Sequence, residues 1–505
     1  MNRNLTICFT SDIHGYFSAM DYASGEPAPT GLANCMYSFP DDGNTLILDG
    51  GDTLQGSPFT YWLYSKPREG TCVPAQIMNL GGYDFVTLGN HDFNYGKGEI
   101  EHYLRELDAQ CLCANVEGIA GVRKTAVVTM KNGLRVGLTG ITSHFVNAWE
   151  KPENLEGITV TDAFAAARSA LQELKSQNVD VTICIYHGGF ENDVCTGEAL
   201  SQTGENQGWR ICKELDFNVL LTGHQHQPLE NLCLFGTYTC QTPDRAKQYI
   251  RMEVSVTDSC MVTASSRLIP ADGTTSAEAA AYLAPLDREN AAFLDTPVGH
   301  LDTELEPKPP LEMAVSGSYI ANFFNQVQLE VSGADISATC LGSGIKGLGS
   351  EVTIRDIVAT YLFPNTLKTI RVNRRILKAA LERSSEYFAL DVKGELHISD
   401  AFLRPIPQHY NFDYFSGVKV TVDVRRPVGD RVVSIRYRGE ELEEDQSLTL
   451  CINNYRATGA GGYPMYAECE ILKDQPTEIA QMIIEYIDKH RYVVIDKTQW
   501  RKVIY

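Results

Sequence analysis

Residues 5–14 read LTICFTSDIH, an apolar run that ends in two side chains able to bind a metal ion. Leu5–Thr10 is rich in β-branched and aromatic residues, which predicts a strand that is buried on both faces. Asp12 and His14 follow two residues apart, so in an extended chain they face the same side. In an open α/β sheet, ligands bind outside the carboxyl ends of the strands, and this stretch predicts such a site.

Four further apolar runs end in the same kind of residue. Thr45–Leu48 leads to Asp52, Phe85–Leu88 to Asn90 and His91, Val181–Tyr186 to His187, and Val219–Thr222 to His224 and His226. One Asp or His at a strand end is usually a cap or a surface residue, but five such ends in one chain point to a shared site. Imidazole and carboxylate ligands without cysteine argue against structural zinc and suit Mn, Zn, Fe or Co.

The first part of the chain alternates strands with helices, which predicts an α/β layered domain. The run Val136–Ile141 is another predicted strand, and Ala163–Gln177 has the periodicity of a helix. Ala277–Leu294 is predicted as a helical stretch interrupted by Pro285, and the proline-rich segment 306–310 then breaks regular structure. We therefore place a domain boundary near residue 300.

The second half of the chain mixes both kinds of element, which predicts an α+β domain. The predicted helix is Arg374–Phe388, and the predicted strands are Val418–Val424, Val432–Tyr437 and Ser447–Asn453.

Composition limits the classes of partner. The 505 residues carry a formal net charge of −21, which disfavours a polynucleotide partner because the phosphate backbone would be repelled. No segment approaches the roughly 18 apolar residues of a membrane span. The scattered cysteines and the absence of a signal peptide predict a cytoplasmic chain, and an exported protein that lacks its signal is the alternative. The sequence carries no signal for an oligomeric state.

The strand-end motifs together resemble a known family. In order and spacing they are similar to the calcineurin-like metallophosphoesterases, specifically the 5'-nucleotidase superfamily; the motifs are Asp12–His14, Gly51–Ser57, Gly89–Asp92, His187–Gly189 and Gly223–His226. The resemblance implies a metallophosphoesterase layered sandwich domain at residues 1–300. It also implies a 5'-nucleotidase-type C-terminal domain at residues 301–505 that binds the nucleotide base.

The resemblance further implies two divalent metal ions that share one bridging ligand. One ion would be held by Asp12, His14, Asp52 and His226, and the other by Asp52, Asn90, His187 and His224. Two such cations polarise phosphoryl oxygens and activate a water for attack on phosphorus. His91 would be catalytic, either stabilising the transition state or protonating the leaving oxygen.

One residue departs from the common pattern beside His91. Many 5'-nucleotidases carry an Asp three residues after this histidine, whereas this chain has Asn94. An amide can orient the imidazole ring, so Asn94 is predicted as a catalytic residue together with His91, but it cannot stabilise imidazolium as a carboxylate does. The run Phe93-Asn94-Tyr95-Gly96 resembles the 2',3'-cyclic-nucleotide 2'-phosphodiesterase/3'-nucleotidase branch.

Segments in the second half resemble base-binding segments of the same branch. These segments are Tyr361–Leu367, Tyr410–Asp413 and Asn453–Pro464. By this resemblance Phe363 and Tyr455 would stack on the base, Asn365 would bond its edge, and Lys346 would meet a phosphate. Ordinary core or turn packing of the two aromatic residues is the competing interpretation.

We therefore expect hydrolysis of a small nucleotide, with 2',3'-cyclic nucleotides and then 3'-nucleotides favoured. A 5'-nucleotidase or nucleotide-sugar hydrolase is the nearest alternative. It is weakened because Gly461 stands where those enzymes often have Asp, and Lys346 where they often have Arg. A catalytically silent nucleotide-binding protein and a protein phosphatase are more distant alternatives.

Overall fold

The structure is a computed structural model that describes residues 3–65, 70–200, 204–363, 365–404 and 406–505. It divides into two compact units, Met1–Ala291 and Ala292–Tyr505. Each unit has hydrophobic packing of its own, with two cores in the first unit.

The first unit contains two large sheets. In spatial order the seven-stranded sheet consists of Val262–Pro270, Gln248–Val256, Arg3–Thr10, Thr45–Asp49, Phe85–Val86, Gln110–Leu112 and Val122–Arg123. The six-stranded sheet consists of Leu229–Leu234, Thr237–Gln241, Val219–Thr222, Val181–His187, Arg135–Thr142 and Thr125–Thr129. The α/β layered class predicted for this part of the chain is confirmed, although Phe85–Val86 is shorter than expected.

The central strands of each sheet are parallel, so their carboxyl ends share an edge. In the first sheet Thr10 is level with Asp49, and Asp49 is level with Val86. In the second sheet Thr142 is level with His187, and Tyr186 is level with Thr222. Because of this register, the loops that follow the parallel strands lie together at one edge of each sheet.

Alternation along the strands builds two cores in the first unit. Ile183 and Ile185 face a core that also contains Leu5, Ile7 and Phe9 from the other sheet, so the two sheets pack face to face. The residue between the isoleucines, Cys184, faces the opposite way, into a core formed with the helix Ala163–Ser176. The second sheet is therefore buried on both faces, as its continuous apolar strands require.

The helices that begin in the first unit are mostly short. They are Leu32–Met36, Pro58–Tyr64, Val73–Leu80, Gly96–Glu106, Val146–Trp149, Ala163–Ser176, Gly208–Glu214 and Ala277–Leu294. The expected interruption at Pro285 is wrong, because this residue lies inside one continuous helix. A proline inside a helix lacks its backbone donor and crowds the carbonyl four residues earlier, and this helix accommodates both effects without a break.

The second unit is built on a five-stranded sheet with smaller sheets beside it. The five strands, in spatial order, are Asp413–Ser416, Ile336–Cys340, Leu448–Asn453, Thr366–Val372 and Ile471–Glu478. A four-stranded sheet contains Glu440–Glu441, Val432–Tyr437, Val418–Asp423 and Arg501–Ile504. A three-stranded sheet contains Glu351–Thr353, Pro297–Leu301 and Tyr492–Val493, and a hairpin pairs Phe388–Leu390 with Leu396–Ile398.

Helices complete the α+β architecture of the second unit. They are Pro310–Ser316, Tyr319–Ser332, Ile354–Thr360, Arg374–Ser385, Asn454–Ala457 and Ile479–His490. The helix that begins at Arg374 ends three residues earlier than predicted, because Phe388 starts a strand of the hairpin. Among the described residues, no helix is both long and apolar enough to cross a membrane.

Asp49 is a fully buried carboxyl group at the end of its strand. It accepts hydrogen bonds from the Thr10 hydroxyl at 2.6 Å, the Gly51 N–H at 2.9 Å and the Thr53 hydroxyl at 3.0 Å. Burial outweighs these bonds and raises the pKa of Asp49 to about 7. The folded protein therefore holds a proton on Asp49 at pH values where the unfolded chain has released it.

We predict that Asp49→Asn stabilises the protein increasingly as the pH rises. Between its unfolded pKa, about 4, and its folded pKa, Asp49 makes the wild type lose stability with rising pH, by up to about 4 kcal/mol. Asn lacks this titration, while its amide can still accept from Gly51 and donate to Thr10. Urea unfolding of both proteins from pH 4 to 8 measures the difference, which should grow to pH 7 and then level off.

Asp180→Asn provides a control of opposite sign. Arg3 lowers the pKa of Asp180, so this carboxylate stabilises the protein above its unfolded pKa and loses that effect as the pH falls. A constant difference between wild type and Asp49→Asn across the pH range would contradict the prediction.

Candidate functional site

The loops at the strand ends bring six side chains into two groups that could hold metal ions. One group is Asp12, His14 and His226, and the other is Asp52, His187 and His224. Within each group the ligand atoms lie within 4.8 Å of one another. Asn90 joins the second group, since its Oδ1 lies 3.1 Å from His187 Nε2.

Asp52 belongs to the second group and also lies close to the first. Its Oδ2 is 3.2 Å from His187 Nε2 and 3.9 Å from His14 Nε2. In the first group, His226 Nε2 lies 3.2 Å from Asp12 Oδ1 and also 3.2 Å from His14 Nε2. This arrangement gives Asp52 contacts with histidines of both groups.

The outward nitrogens of two histidines are fixed by backbone carbonyls. His14 Nδ1 lies 2.8 Å from the Gln55 oxygen, and His187 Nδ1 lies 2.7 Å from the Gly50 oxygen. A carbonyl only accepts, so each Nδ1 carries a proton and Nε2 is the nitrogen that faces the site. Converging imidazole, carboxylate and amide donors are a set that fits divalent transition metals.

The pKa values of the buried site residues indicate that the site favours bound positive charge. Burial alone would raise the pKa of Asp12 and Asp52, but His226 lowers the first pKa and His187 lowers the second. Burial would also lower the pKa of His187, yet Asp52 raises it to about 10. For His14 burial prevails and lowers the pKa to about 4. Divalent cations supply the positive charge that the two carboxylates require.

Five of the candidate ligands have left-handed backbone conformations, which non-glycine residues seldom adopt. The φ angles are 57° for Asp12, 51° for His14, 56° for Asp52, 69° for His224 and 55° for His226. Such conformations persist where the surrounding structure enforces them, and they cluster at functional sites. This feature has no signal in the sequence.

Two glycines leave space for the carboxylates. A Cβ on Gly89 would stand 2.1 Å from Asp52 Oδ1, and one on Gly223 would stand 2.7 Å from Asp12 Oδ2. Both positions therefore exclude a side chain for steric reasons. Each carboxylate can occupy its position only because the residue beside it is glycine.

Asp92 supports the loop that carries Asp52. This buried carboxyl group accepts hydrogen bonds from the N–H groups of Asp52, Thr53, Leu54 and Gly89, at 2.7–2.9 Å. It joins two of the strand-end loops without being in either group of candidate ligands. Its position in the Gly-Asn-His-Asp motif was visible in the sequence, but its role was not.

His91 lies beside the candidate ligands without being one of them. Its ring centroid is 5.3 Å from that of His14, and its backbone N–H donates to Asp52 Oδ1 at 2.7 Å. Its Nδ1 lies 2.8 Å from Asn94 Oδ1, so these two predicted catalytic residues are in contact.

His224, a candidate ligand of the second group, is covered on one face. The ring of Trp149 stacks on it, with the two ring centroids 5.4 Å apart. Its Nε2 also lies 2.9 Å from Glu205 Oε1, a carboxylate that the sequence analysis did not single out.

In the second unit, the residues predicted to bind substrate lie next to the ends of strands of the five-stranded sheet. Leu367 pairs with Asn453, which places Asn365 and Tyr455 just beyond the ends of two neighbouring strands. The Phe363 ring lies 6.4 Å from that of Tyr410. The loop with Lys346, whose side chain is exposed, follows the strand Ile336–Cys340.

A buried ion pair at this edge was missed by the sequence analysis. Arg456 and Asp413 are 1% and 2% exposed, and the guanidinium donates to Asp413 Oδ1 at 2.9 Å. It also donates to the backbone oxygens of Ala460 and Tyr410, both at 3.0 Å. A Cβ on Gly461 would stand only 1.9 Å from the guanidinium, so Arg456 occupies the space next to that glycine.

Family models match most of the chain. The model of the calcineurin-like phosphoesterases matches residues 5–228, and that of the 5'-nucleotidase C-terminal domain matches residues 297–468. A solved structure from Staphylococcus aureus, provisionally named a 5'-nucleotidase and determined with alpha-ketoglutarate, is 32% identical. Its TM-score is 0.91, and the match covers 100% of both chains.

Two curated relatives are more distant. The trifunctional nucleotide phosphoesterase YfkN of Bacillus subtilis is 24% identical over 97% of this chain, which spans 38% of that relative's length. The 2',3'-cyclic-nucleotide 2'-phosphodiesterase/3'-nucleotidase of Haemophilus influenzae is 22% identical over 96% of this chain and 84% of its own length.

We predict that Gly89→Ala lowers metal content by displacing the Asp52 carboxylate. The added methyl group would overlap Asp52 Oδ1 and the Asp52 backbone nitrogen, so the carboxylate cannot keep its present position beside His187. Elemental analysis after dialysis should find less bound metal than in the wild type. Added Mn²⁺ should also raise the melting temperature less, because ligand-linked stabilisation follows affinity.

Gly98→Ala is the matched control. Gly98 lies in the helix Gly96–Glu106, and nothing stands within 4 Å of the Cβ it would gain. This change should leave metal content unaltered and stabilise the helix by about 0.5–1 kcal/mol. Full metal content in Gly89→Ala would contradict the assignment of Asp52 as a ligand.

Proposed function

Because this chain belongs to the calcineurin-like phosphoesterases that carry a 5'-nucleotidase C-terminal domain, we propose that it hydrolyses 2',3'-cyclic nucleotides and then 3'-nucleotides. As a member of this family it is a metal-dependent phosphoester hydrolase. The proposed sequence of reactions uses one water to open the cyclic ester at its 2' oxygen. A second water then releases inorganic phosphate and leaves the nucleoside.

The choice of 2',3'-cyclic and 3'-nucleotides over 5'-nucleotides rests on the limited space beside Gly461. The resemblance to 5'-nucleotidases would place an Asp there, but the buried guanidinium of Arg456 stands where its Cβ would be. The φ of Gly461, 70°, further disfavours a side chain. The Haemophilus influenzae relative, whose name states the 2',3'-cyclic and 3' activities, supports the same choice.

A 5'-nucleotidase activity is the second candidate. It is favoured by the Staphylococcus aureus structure, which is named for that activity and is more similar in sequence. Both candidates use the same metal centre and differ in which ester is presented to it. Substrate comparison therefore separates them.

The proposed roles of the site residues follow from the chemistry of their side chains. Asp12, His14, Asp52 and His226 would hold one divalent ion, and Asp52, Asn90, His187 and His224 would hold the other. When bound, such ions polarise the phosphoryl oxygens and activate a water. His91 would then donate a proton from Nε2 to the leaving oxygen, as a general acid.

The base is proposed to be recognised in the second unit. Phe363 and Tyr455 would stack on it and Asn365 would bond its edge, with Lys346 near a phosphate. Aromatic stacking tolerates any base, since every base has a π face. The half-buried Tyr455 lies in the short helix Asn454–Ala457 that follows the strand Leu448–Asn453, and the guanidinium carbon of the buried Arg456 is 5.9 Å from its ring centroid.

We predict a graded response in a substrate panel with purified protein and added Mn²⁺. The panel compares 2',3'-cyclic AMP, 3'-AMP, 5'-AMP, UDP-glucose and an aryl phosphate by chromatography and phosphate release. The first two should have the highest kcat/KM. A preference for 5'-AMP would replace the proposal with the second candidate, and binding without turnover on any substrate would indicate a silent nucleotide-binding protein.

We predict that Tyr455→Ala raises KM for nucleotides and leaves aryl phosphate hydrolysis nearly unchanged. Loss of stacking should cost about 1–3 kcal/mol, or roughly five- to 150-fold. Tyr505→Ala, at an exposed tyrosine of the same unit, is the control and should behave as the wild type. Equal loss on every substrate together with a lower melting temperature would instead indicate a packing role for Tyr455.

A further inference from the structure

Asn94 connects His91 to a carboxylate elsewhere in the chain. Its Oδ1 lies 2.8 Å from His91 Nδ1, and its Nδ2 donates to Glu150 Oε2 at 2.5 Å. Glu150 immediately follows the short helix Val146–Trp149 and is 56 residues away in sequence. The negative charge that Asn94 itself lacks is therefore present one side chain further from the imidazole.

Glu150 is held in place by two other donors. The Lys151 N–H donates to Oε1 at 2.7 Å, and Asn154 Nδ2 donates to the same oxygen at 2.9 Å. Asn154 Nδ2 also donates to the backbone oxygen of Asn94 at 2.8 Å. The side chains of Asn94, Glu150 and Asn154 thus form a connected set in which both Glu150 oxygens are used.

The order of donors and acceptors in this set fixes the histidine. A carboxylate only accepts, so Glu150 compels the Asn94 amide to turn its nitrogen outward and its oxygen toward His91. The Asn94 oxygen also only accepts, so His91 Nδ1 must carry a proton. Nε2 is then the ring position that exchanges a proton with substrate.

We propose that Glu150 is a positioning residue that acts through Asn94 to hold the tautomer and orientation of His91. The inference rests on the proposed function, in which the Nε2 proton of His91 passes to the leaving oxygen. Nδ1 keeps its proton, bonded to Asn94, throughout that transfer. Without Glu150 the amide of Asn94 is free to turn, and its NH2 group would then face Nδ1 and exclude the required tautomer.

Four variants test the relay. In Glu150→Gln the side chain can no longer accept hydrogen bonds from Asn94 on one side and from Lys151 and Asn154 on the other, because one of its two terminal atoms is an NH2 group. Asn94→Asp places two carboxylates in contact. In the double variant Asn94→Asp/Glu150→Gln, the new carboxylate at position 94 accepts from His91 and from the amide nitrogen of the new glutamine. The oxygen of that glutamine still accepts from Lys151 and Asn154. Glu153→Gln, at an exposed neighbouring carboxylate, is the control.

Kinetics should separate positioning from general damage. For 3'-AMP, whose leaving alkoxide needs a proton, Glu150→Gln should lower kcat by about 10- to 100-fold, part of the roughly 10²–10⁴-fold that a general acid contributes, with KM and metal content unchanged. Hydrolysis of 4-nitrophenyl phosphate should fall much less, because its leaving group departs without protonation. Asn94→Asp should also be impaired, and the double variant should recover most of the kcat. In a His91→Asn background, Glu150→Gln should add no further loss.

A spectroscopic readout does not depend on turnover. Nitrogen-15 NMR of histidine-labelled, zinc-loaded protein should show His91 protonated at Nδ1 in the wild type and in Glu153→Gln. The Nδ1-protonated signal should weaken in Glu150→Gln and return in the double variant. An unchanged His91 signal in Glu150→Gln would overturn the relay, as would parallel losses on both substrates with a lower melting temperature. Failure of the wild type to hydrolyse any phosphoester would refute the proposed function and leave this NMR test decisive for the relay.

Discussion

Asp52 is buried with both carboxylate oxygens engaged by groups from other loops. Oδ1 accepts the His91 N–H at 2.7 Å, and Oδ2 faces His187 Nε2 at 3.2 Å. A charge at this depth is stable only where opposite charge and hydrogen-bond donors compensate its lost solvation. The compensation comes from loops that follow different strands. The site therefore requires the parallel register that places the ends of those strands side by side.

The left-handed backbone at five candidate ligands follows from the same demand. Each ligand stands where the chain leaves a strand and turns back over the sheet edge, and such conformations cost of the order of 1–3 kcal/mol per residue. Hydrogen bonds between the loops offset that cost. The Asp12 N–H donates to the Gly51 oxygen and the His14 N–H to the Asp52 oxygen, at 2.9 and 2.8 Å. Compensation of charge and enforcement of backbone geometry are thus supplied by the same loop-to-loop contacts.

The sequence predicted the layered fold of the first unit and the candidate ligands because both depend on local patterns. A continuous apolar run marks a buried parallel strand, and parallel strands deliver their following residues to one edge. Contacts between distant segments could not be predicted in this way. The bond from Asn94 to Glu150 depends on where the helix Val146–Trp149 packs, and nothing near Glu150 in the sequence marks it. Arg456 stood inside a recognised motif, but its burial against Asp413 depends on pairing between strands far apart in the chain.

Two positions that depart from the 5'-nucleotidase pattern share a physical explanation. At Asn94 a carboxylate is absent beside the histidine, and Glu150 supplies one through the amide. At Gly461 a carboxylate is again absent, and the guanidinium of Arg456 fills the adjoining space while Asp413 balances its charge. In both cases the missing carboxylate is accompanied by another charged side chain that hydrogen-bonds to neighbouring groups. Placing Asp alone at position 94 would bring an uncompensated charge next to Glu150, and placing it alone at position 461 would cause a steric overlap with Arg456. Each departure from the 5'-nucleotidase pattern is therefore explained only together with the charged side chain that accompanies it.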